Sequence, residues 1–497
     1  MNKLFKQNIF KFKLEYFLLT LILLAGFVVR LYKINNPIAD WHSWRQADTA
    51  SVTRIFVEKG LNFFTPRYYD ISSVQSGIFN PQGYRFVELP IFNLVHYLLY
   101  KTYPAISLEV WGRLTSILFA LGSSLVLYLL GKRFLGKWGG LLTIFFFLFI
   151  PFNIYFTRVI LPESAAVFFG VLALYLFSKF IDSDKFFYLL FSGISFSLAL
   201  LVKPYIVFYG IPLVYLFFTK YPLSQFKNLK GNLGLIIKLA IFAGIILVPL
   251  ILWRIRIGEH PEGIPFWKWA FNGDGIRFRP AFWRWIYGER LGRLILGIWG
   301  LIPFVYGVIK TKKESLFIQF FLLGMFFYTL IVATANVRHD YYQTFIIPAV
   351  SLTLAAGVKY LLEEVNVNKI LTRITLIFSV VLMLGMGWYQ AKEYYPINHP
   401  EIIEAGKAID RIAPKDALII APYNGDTAFL YQTDRFGWPA VDNSIDNIIA
   451  EGATYYVTVT LNDPDTKMIT DRFKVIERTD KYLIADLTKP LKVKTTK

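Results

Sequence analysis

The sequence predicts a polytopic α-helical membrane protein, with about eleven transmembrane helices, a large first outer loop and a small C-terminal α/β soluble domain. Three observations carry this reading. Of the 497 residues, 55% are hydrophobic and 18% aromatic, well above the usage of an ordinary soluble chain, so a bilayer is the natural solvent. Apolar runs of about twenty residues, enough to cross a hydrocarbon core of roughly 30 Å, recur as far as residue 389. Beyond it, charge mixes with short apolar runs and no further span follows.

Lys3, Lys6, Lys11 and Lys13 precede the first run, 16–32. That run lacks a small-residue cleavage site and continues into Arg30 and Lys33, which marks an uncleaved span with a cytoplasmic N-terminus. A long polar segment, 34–88, follows. The next runs lie near 111–130, 138–156, 164–180, 186–202, 205–218, 235–253, 294–309, 316–335, 345–362 and 374–389. If the spans alternate, one set of loops holds Lys132, Arg133 and Lys137, then Lys185, then Lys220, Lys227 and Lys230, then Lys310, Lys312 and Lys313, then Lys359 and Lys369. These short, Lys-rich loops are cytoplasmic by the positive-inside rule. The opposite set holds the first loop, the turn at 158–163, Lys203, the Trp- and Arg-rich segment 254–293, and 338–340. The run 89–103 is short and interrupted by His96 and Lys101, and counting it as a span would reverse the charge bias, so it reads as re-entrant or interfacial. Expected domains are therefore 1–391 in the membrane and 392–497 outside it, at the plasma (inner) membrane. Within the latter, helices are expected at 401–412 and 443–450 and strands at 417–421, 455–460 and 482–487.

The 53 Lys and Arg against 34 Asp and Glu give a net charge of +19. Their place in short loops makes them topology signals rather than a nucleic-acid surface, and no nucleic-acid partner is expected. Cysteine is absent, which removes disulfides, thiolate metal sites and a Cys nucleophile. Chemistry falls to carboxylates, His, Lys, Arg and hydroxyls.

Those residues cluster on the outer set of loops. The first loop opens with Asp40, Trp41, His42, Ser43, Trp44, Arg45, Gln46, Ala47 and Asp48, and closes on Glu88, Leu89 and Pro90. Gly112-Arg113-Leu114 opens the next span, Arg158 precedes Pro162-Glu163, and His339-Asp340-Tyr341-Tyr342 precedes Pro348. In this order and on one side, the motifs resemble the GT-C superfamily of polyprenyl-phosphate-sugar-dependent glycosyltransferases. Within it the chain is most similar to family 39 enzymes, relatives of protein O-mannosyltransferases and of the aminoarabinose transferase of lipid A. The resemblance spans about 1–390.

What the resemblance implies is an inverting hexosyl- or pentosyltransferase of the cell envelope. Its partners would be a polyprenyl-phosphate-sugar donor, an extracytoplasmic acceptor and the lipid bilayer. A lipid phosphate is a good leaving group, so transfer needs a base for the acceptor hydroxyl and cations for the phosphate. Asp40 fits the base. Arg45, Arg158 and Lys203 are the cations suited to phosphate, or interfacial anchors that snorkel to headgroups. Glu88 is placed with Asp40 as catalytic, orienting the acceptor or pairing with a cation, against a reading in which it only caps the re-entrant segment. Relatives carry Lys or a second Pro beside this position where Leu89 stands here, so a Lys contact from that motif is not available. His42, Trp44 and Gln46 join the substrate-binding set. Glu163 either faces the site or simply complements a helix dipole. His339, Asp340, Tyr341 and Tyr342 form a lip of the donor cavity, or an ordinary aromatic belt. No ligand spacing is diagnostic of a metal, and no cofactor is assigned; a divalent ion stays open because His339, Asp340 and Glu163 have the right donor types. The 254–293 segment reads as an amphipathic stretch in the headgroups, or as a lid hinged at Gly273 to Gly275.

Three other classes compete. A transporter or flippase of lipid-linked sugars would place ionisable groups at mid-membrane and show paired halves, neither of which the sequence has. A glycosidase using Asp40 and Glu88 would explain neither the spans nor the cations. The third is a scaffold that binds wall polymer through its Trp-rich surface.

Overall fold

The computed structural model describes residues 2–224, 230–310, 312–364 and 368–491; Lys227 of the expected cytoplasmic set lies outside them. Most described residues are helical, and the chain divides into two compact units.

The first unit, Met1–Ile34, Arg113–Trp253 and Trp267–Glu393, carries most of the apolar helices. Among the described residues five helices are long and apolar enough to cross a membrane: Leu108–Phe149, Glu163–Ser183, Leu233–Gly258, Asp340–Glu364 and Lys369–Tyr394. Phe186–Val202, Pro204–Lys220 and Leu316–Ile331 are shorter apolar helices. The runs expected at 111–130 and 138–156 fall in one helix of 42 residues, but Gly136 interrupts it with φ 76° and ψ 177°. The chain folds back there, because a Cβ on Gly131 would sit 3.0 Å from the Cα of Gly140. The run expected at 294–309 is not one helix. A π-helical stretch, Arg284–Ile295, ends at Leu296, and Leu301–Ile309 starts afresh. Between them Gly297 and Ile298 take left-handed φ values of 48° and 63°. The break lets the backbone touch the helix Lys369–Ala391, where a Cβ on Gly297 would lie 2.3 Å from the carbonyl oxygen of Met383.

The second unit gathers Asn35–Gly112, Arg254–Phe266 and Tyr394–Lys497. The packing thus departs from the expected boundary at 391/392: the first loop joins the C-terminal residues. A loop this short has little apolar surface for a core of its own, and it completes its burial on a sheet supplied from elsewhere in the chain. That sheet has five strands, β1 (Leu418–Ile420), β2 (Gly437–Trp438), β3 (Ala453–Thr458), β4 (Phe473–Arg478) and β5 (Leu483–Pro490), in the order β2-β1-β3-β5-β4. β1 runs parallel to β2 and β3, and β5 antiparallel to β3 and β4. The expected strands at 417–421, 455–460 and 482–487 correspond to β1, β3 and β5, and the expected helices to Glu401–Ile412 and Ile445–Ala450. The helices Thr427–Thr433 and Pro464–Arg472 and the strands β2 and β4 are additions.

The open edge of β2 is covered by the first loop. Ile71 N–H donates to the Gly437 carbonyl and Gly437 N–H to the Tyr69 carbonyl, each at 3.0 Å. Gly437 is required here, since a Cβ would meet the carbonyl oxygen of Ile419 at 1.8 Å. Ile71 also enters the same apolar core as Ile420, Trp438, Tyr456 and Leu483. The run 89–103 forms the helix Ile91–Thr102 and lies in this unit, where Asn93 Nδ2 donates to the Thr49 carbonyl at 2.7 Å and to Thr53 Oγ1 at 2.9 Å.

Asp70, beside this junction, is fully buried and accepts hydrogen bonds from Ser72 N–H and Oγ at 2.8 and 2.6 Å. Burial pushes its carboxyl up to about 6, against the two bonds from Ser72 and with help from the charge of Asp48. The folded carboxyl therefore keeps its proton to higher pH than the unfolded one. Its contribution to stability is full below the ordinary carboxylate range and is lost as pH rises through about 6. Thermal denaturation of the purified protein should show a midpoint several degrees lower at pH 7.5 than at pH 5, since 1 kcal/mol moves the midpoint by about 2–4 °C in a unit of this size. Asp70→Asn should shrink that difference. Asp426, raised to about 6 chiefly by burial, and Glu58, also raised chiefly by burial, contribute in the same direction.

Candidate functional site

In the second unit the helix Ser43–Lys59 organises the first-loop residues. It starts from His42, whose φ of 55° and ψ of 38° are left-handed, an uncommon state for a residue with a Cβ. That sharp entry turns the preceding segment so that Asp40, only 4% exposed, meets the first helical turn. Gln46, fully buried, donates through Nε2 to Asp40 Oδ1 at 2.6 Å and to the Trp41 carbonyl at 3.1 Å. The amide thus fixes one carboxylate oxygen in place. The Trp41 ring is exposed and stacks on Tyr394 with centroids 5.6 Å apart.

Next to Gln46 in the chain, Arg45 forms a buried ion pair with Glu88. Nη2 of Arg45 donates to both oxygens of Glu88 at 2.8 and 2.9 Å, with the side chains 3% and 9% exposed. Beside it Arg85 Nη2 contacts Asp48 Oδ2 at 2.5 Å. The two pairs line a small cleft with Thr49, Asn93 and Pro90. Here the positions expected for a phosphate cation and an acceptor-orienting acid hold each other. Arg85, Thr49 and Asn93 escaped the sequence reading. A signal existed for part of this set, because 45, 48 and 49 are spaced i, i+3, i+4 and so share one helix face.

The first unit holds the remaining residues. Arg158, fully buried, donates to the Lys33 carbonyl at 2.6 Å. Glu163 opens the helix Glu163–Ser183 and is fully buried. Lys203 Nζ lies 3.1 Å from its Oε1, yet neither oxygen receives a well-directed hydrogen bond among the described residues. Next to this pair in the same unit stands an aromatic group. His339 stacks on Tyr341 at 5.6 Å, Tyr341 on Tyr342 at 4.5 Å, and Tyr205 meets Tyr342 edge-on at 5.6 Å. Trp269, from the segment read as amphipathic or lid-like, packs edge-on against His339 at 5.7 Å. Asp340 is 1% exposed and its Oδ2 accepts from Arg290 Nη1 at 3.2 Å. The 254–293 segment is therefore joined to 339–342 by an ion pair and a ring contact, and Arg290 is a second cation the sequence did not single out. Its partner stands 50 residues away, beyond the reach of any local pattern. Among the described residues no three His, Asp or Glu side chains gather as a metal would need, so His339, Asp340 and Glu163 do not converge.

In each unit, then, buried carboxylates are paired with cations. In the second, a carboxylate oriented by an amide stands beside such pairs. This suits proton abstraction from a hydroxyl and stabilisation of an anionic group.

Comparison with known proteins follows the same lines. Residues 99–253 match the family model for dolichyl-phosphate-mannose-protein mannosyltransferase. No curated protein sequence matches. Among solved structures, ArnT from Cupriavidus metallidurans in the apo state aligns at TM-score 0.64 and 14% identity, over 94% of this chain and 97% of that one. The same protein bound to undecaprenyl phosphate aligns at 0.61 and 13%, with the same coverage. The archaeal oligosaccharyltransferase AglB from Archaeoglobus fulgidus, in complex with an inhibitory peptide and a dolichol-phosphate, aligns at 0.53 and 10%, over 93% of this chain and 72% of that one. The chain is thus similar to the mannosyltransferase family by sequence over 99–253 and shares the fold of ArnT over nearly its whole length.

Proposed function

We propose that the protein is an inverting membrane glycosyltransferase that takes a sugar from a polyprenyl-phosphate carrier and transfers it to a hydroxyl of an extracytoplasmic lipid, glycan or protein. The observation that carries this reading is Asp40, a buried carboxylate held by Gln46 at 2.6 Å in a chain with the fold of ArnT. A carboxylate held in a fixed orientation in this way suits taking the acceptor proton. A phosphate leaving group needs no protein acid, and cations such as Arg158 and Lys203 suit its charge.

In this reading Arg158, Lys203 and the aromatic group at 339–342 serve the donor. Glu163 holds the Lys203 ammonium in place, and the Tyr faces suit a sugar or an isoprenoid. Glu88 acts through Arg45 rather than as a second base, because both of its oxygens are engaged by that guanidinium. The N-terminus is cytoplasmic, and the first loop and 392–497 lie outside the plasma membrane, as the Lys-rich loops require. ArnT bound to undecaprenyl phosphate and AglB with dolichol-phosphate support the carrier class. Mass spectrometry of lipids that copurify with the protein tests it.

A further inference from the structure

The segment carrying Asp40 is held by the C-terminal residues at nearly every step. Asn36 Nδ2 donates to the Tyr395 carbonyl at 3.0 Å. The Ile38 carbonyl accepts from Gln432 Nε2 at 2.9 Å. Trp41 N–H donates to the Tyr394 carbonyl at 3.1 Å, with the two rings stacked. On the far side of Asp40, the Thr427 hydroxyl is shared between Asp48 Oδ1 at 2.7 Å and the Trp44 carbonyl at 3.1 Å. Asp40 itself touches Gln46 from its own segment. The backbone on which both sit, from 36 to 48, is thus fastened before and after the aspartate by side chains some 380 residues later in the sequence.

These ties fall on a segment with no regular structure before residue 43 and with a left-handed residue at His42. Left alone, such a segment samples many conformations and Asp40 has no fixed place. A base misplaced by about 1 Å costs on the order of 10²-fold in rate. We infer that Thr427 and Gln432 are positioning residues for Asp40, and that the C-terminal domain serves the reaction by building the base rather than by binding substrate. The inference rests on the role proposed for Asp40. It concerns three hydrogen bonds from two side chains that the sheet's own core, centred on Trp438 and Tyr456, does not need.

The test uses the full chain in nanodiscs, supplied with lipid-linked sugars and acceptor from a host membrane extract, and follows release of polyprenyl phosphate. Thr427→Val combined with Gln432→Leu should lower kcat about tenfold or more, with KM for the lipid donor within about twofold of wild type if donor binding is uninvolved. Thr427→Ser, which keeps the hydroxyl, should restore most of the rate in the single-site series. Amide exchange should quicken at 38–46 in the double variant and stay unchanged in β3 and β5. Wild-type kcat in the double variant, Thr427→Ser as impaired as Thr427→Val, or faster exchange throughout the sheet would each overturn the inference. Activity in Asp40→Asn would instead remove the base itself; an inactive Asp40→Asn beside a fully active double variant removes only the positioning role.

Discussion

Asp40→Asn is expected to lower sugar transfer by about 10²–10⁴-fold, the usual contribution of a positioned base, with the protein still folded. The substitution is nearly isosteric, and the asparagine oxygen still accepts from Gln46 Nε2, which lies 2.6 Å from Oδ1 in the native side chain. What it loses is the ability to take a proton. The loss should therefore appear in kcat rather than in donor affinity. Release of polyprenyl phosphate from a lipid-linked sugar, measured beside thermal stability, separates the two effects. A rate within about threefold of wild type would exclude Asp40 as the base.

The second large effect belongs to the Arg45 and Glu88 pair. Glu88→Ala removes the carboxylate that holds a guanidinium only 3% exposed, and breaking a buried pair in this way costs about 3–5 kcal/mol. The thermal midpoint should fall sharply and yield with it. Replacing both partners, as in Arg45→Met with Glu88→Leu, removes the buried charge as well and should recover much of the stability, because apolar replacements of buried pairs are often neutral. Activity should not return with it. Recovery of both stability and transfer would reduce the pair to a structural staple.

How much of this was legible beforehand depends on the distance over which each feature is encoded. Membrane runs and Lys-rich loops are local, so the helical class was readable from composition and charge. Asp40, His42, Trp44, Arg45 and Gln46 were legible as a set because they stand within one stretch, and the bond from Gln46 to Asp40 is a contact six residues apart. The Arg45 partner is 43 residues away and the Thr427 bond to Asp48 spans 379. No periodicity records such separations. The first loop showed its polarity in the sequence, but not that Tyr69 and Ile71 would extend a C-terminal sheet, because an isolated bridge of two hydrogen bonds leaves no alternating pattern. The broken run at 294–309 failed for another reason: hydropathy sees only apolar side chains, whereas Gly297 was placed by the need to approach Met383 closely.

Mass spectrometry of the lipids held by the protein, purified gently from its own membranes, bears most directly on the central claim. A polyprenyl phosphate or its sugar conjugate, retained by the wild type and depleted relative to bulk phospholipid when Lys203 and Arg158 are replaced, is the predicted result. A preparation that carries bulk phospholipid alone would contradict the account and leave a scaffold as the better reading, while retention of lipid-linked sugar with no transfer by any preparation would favour a flippase.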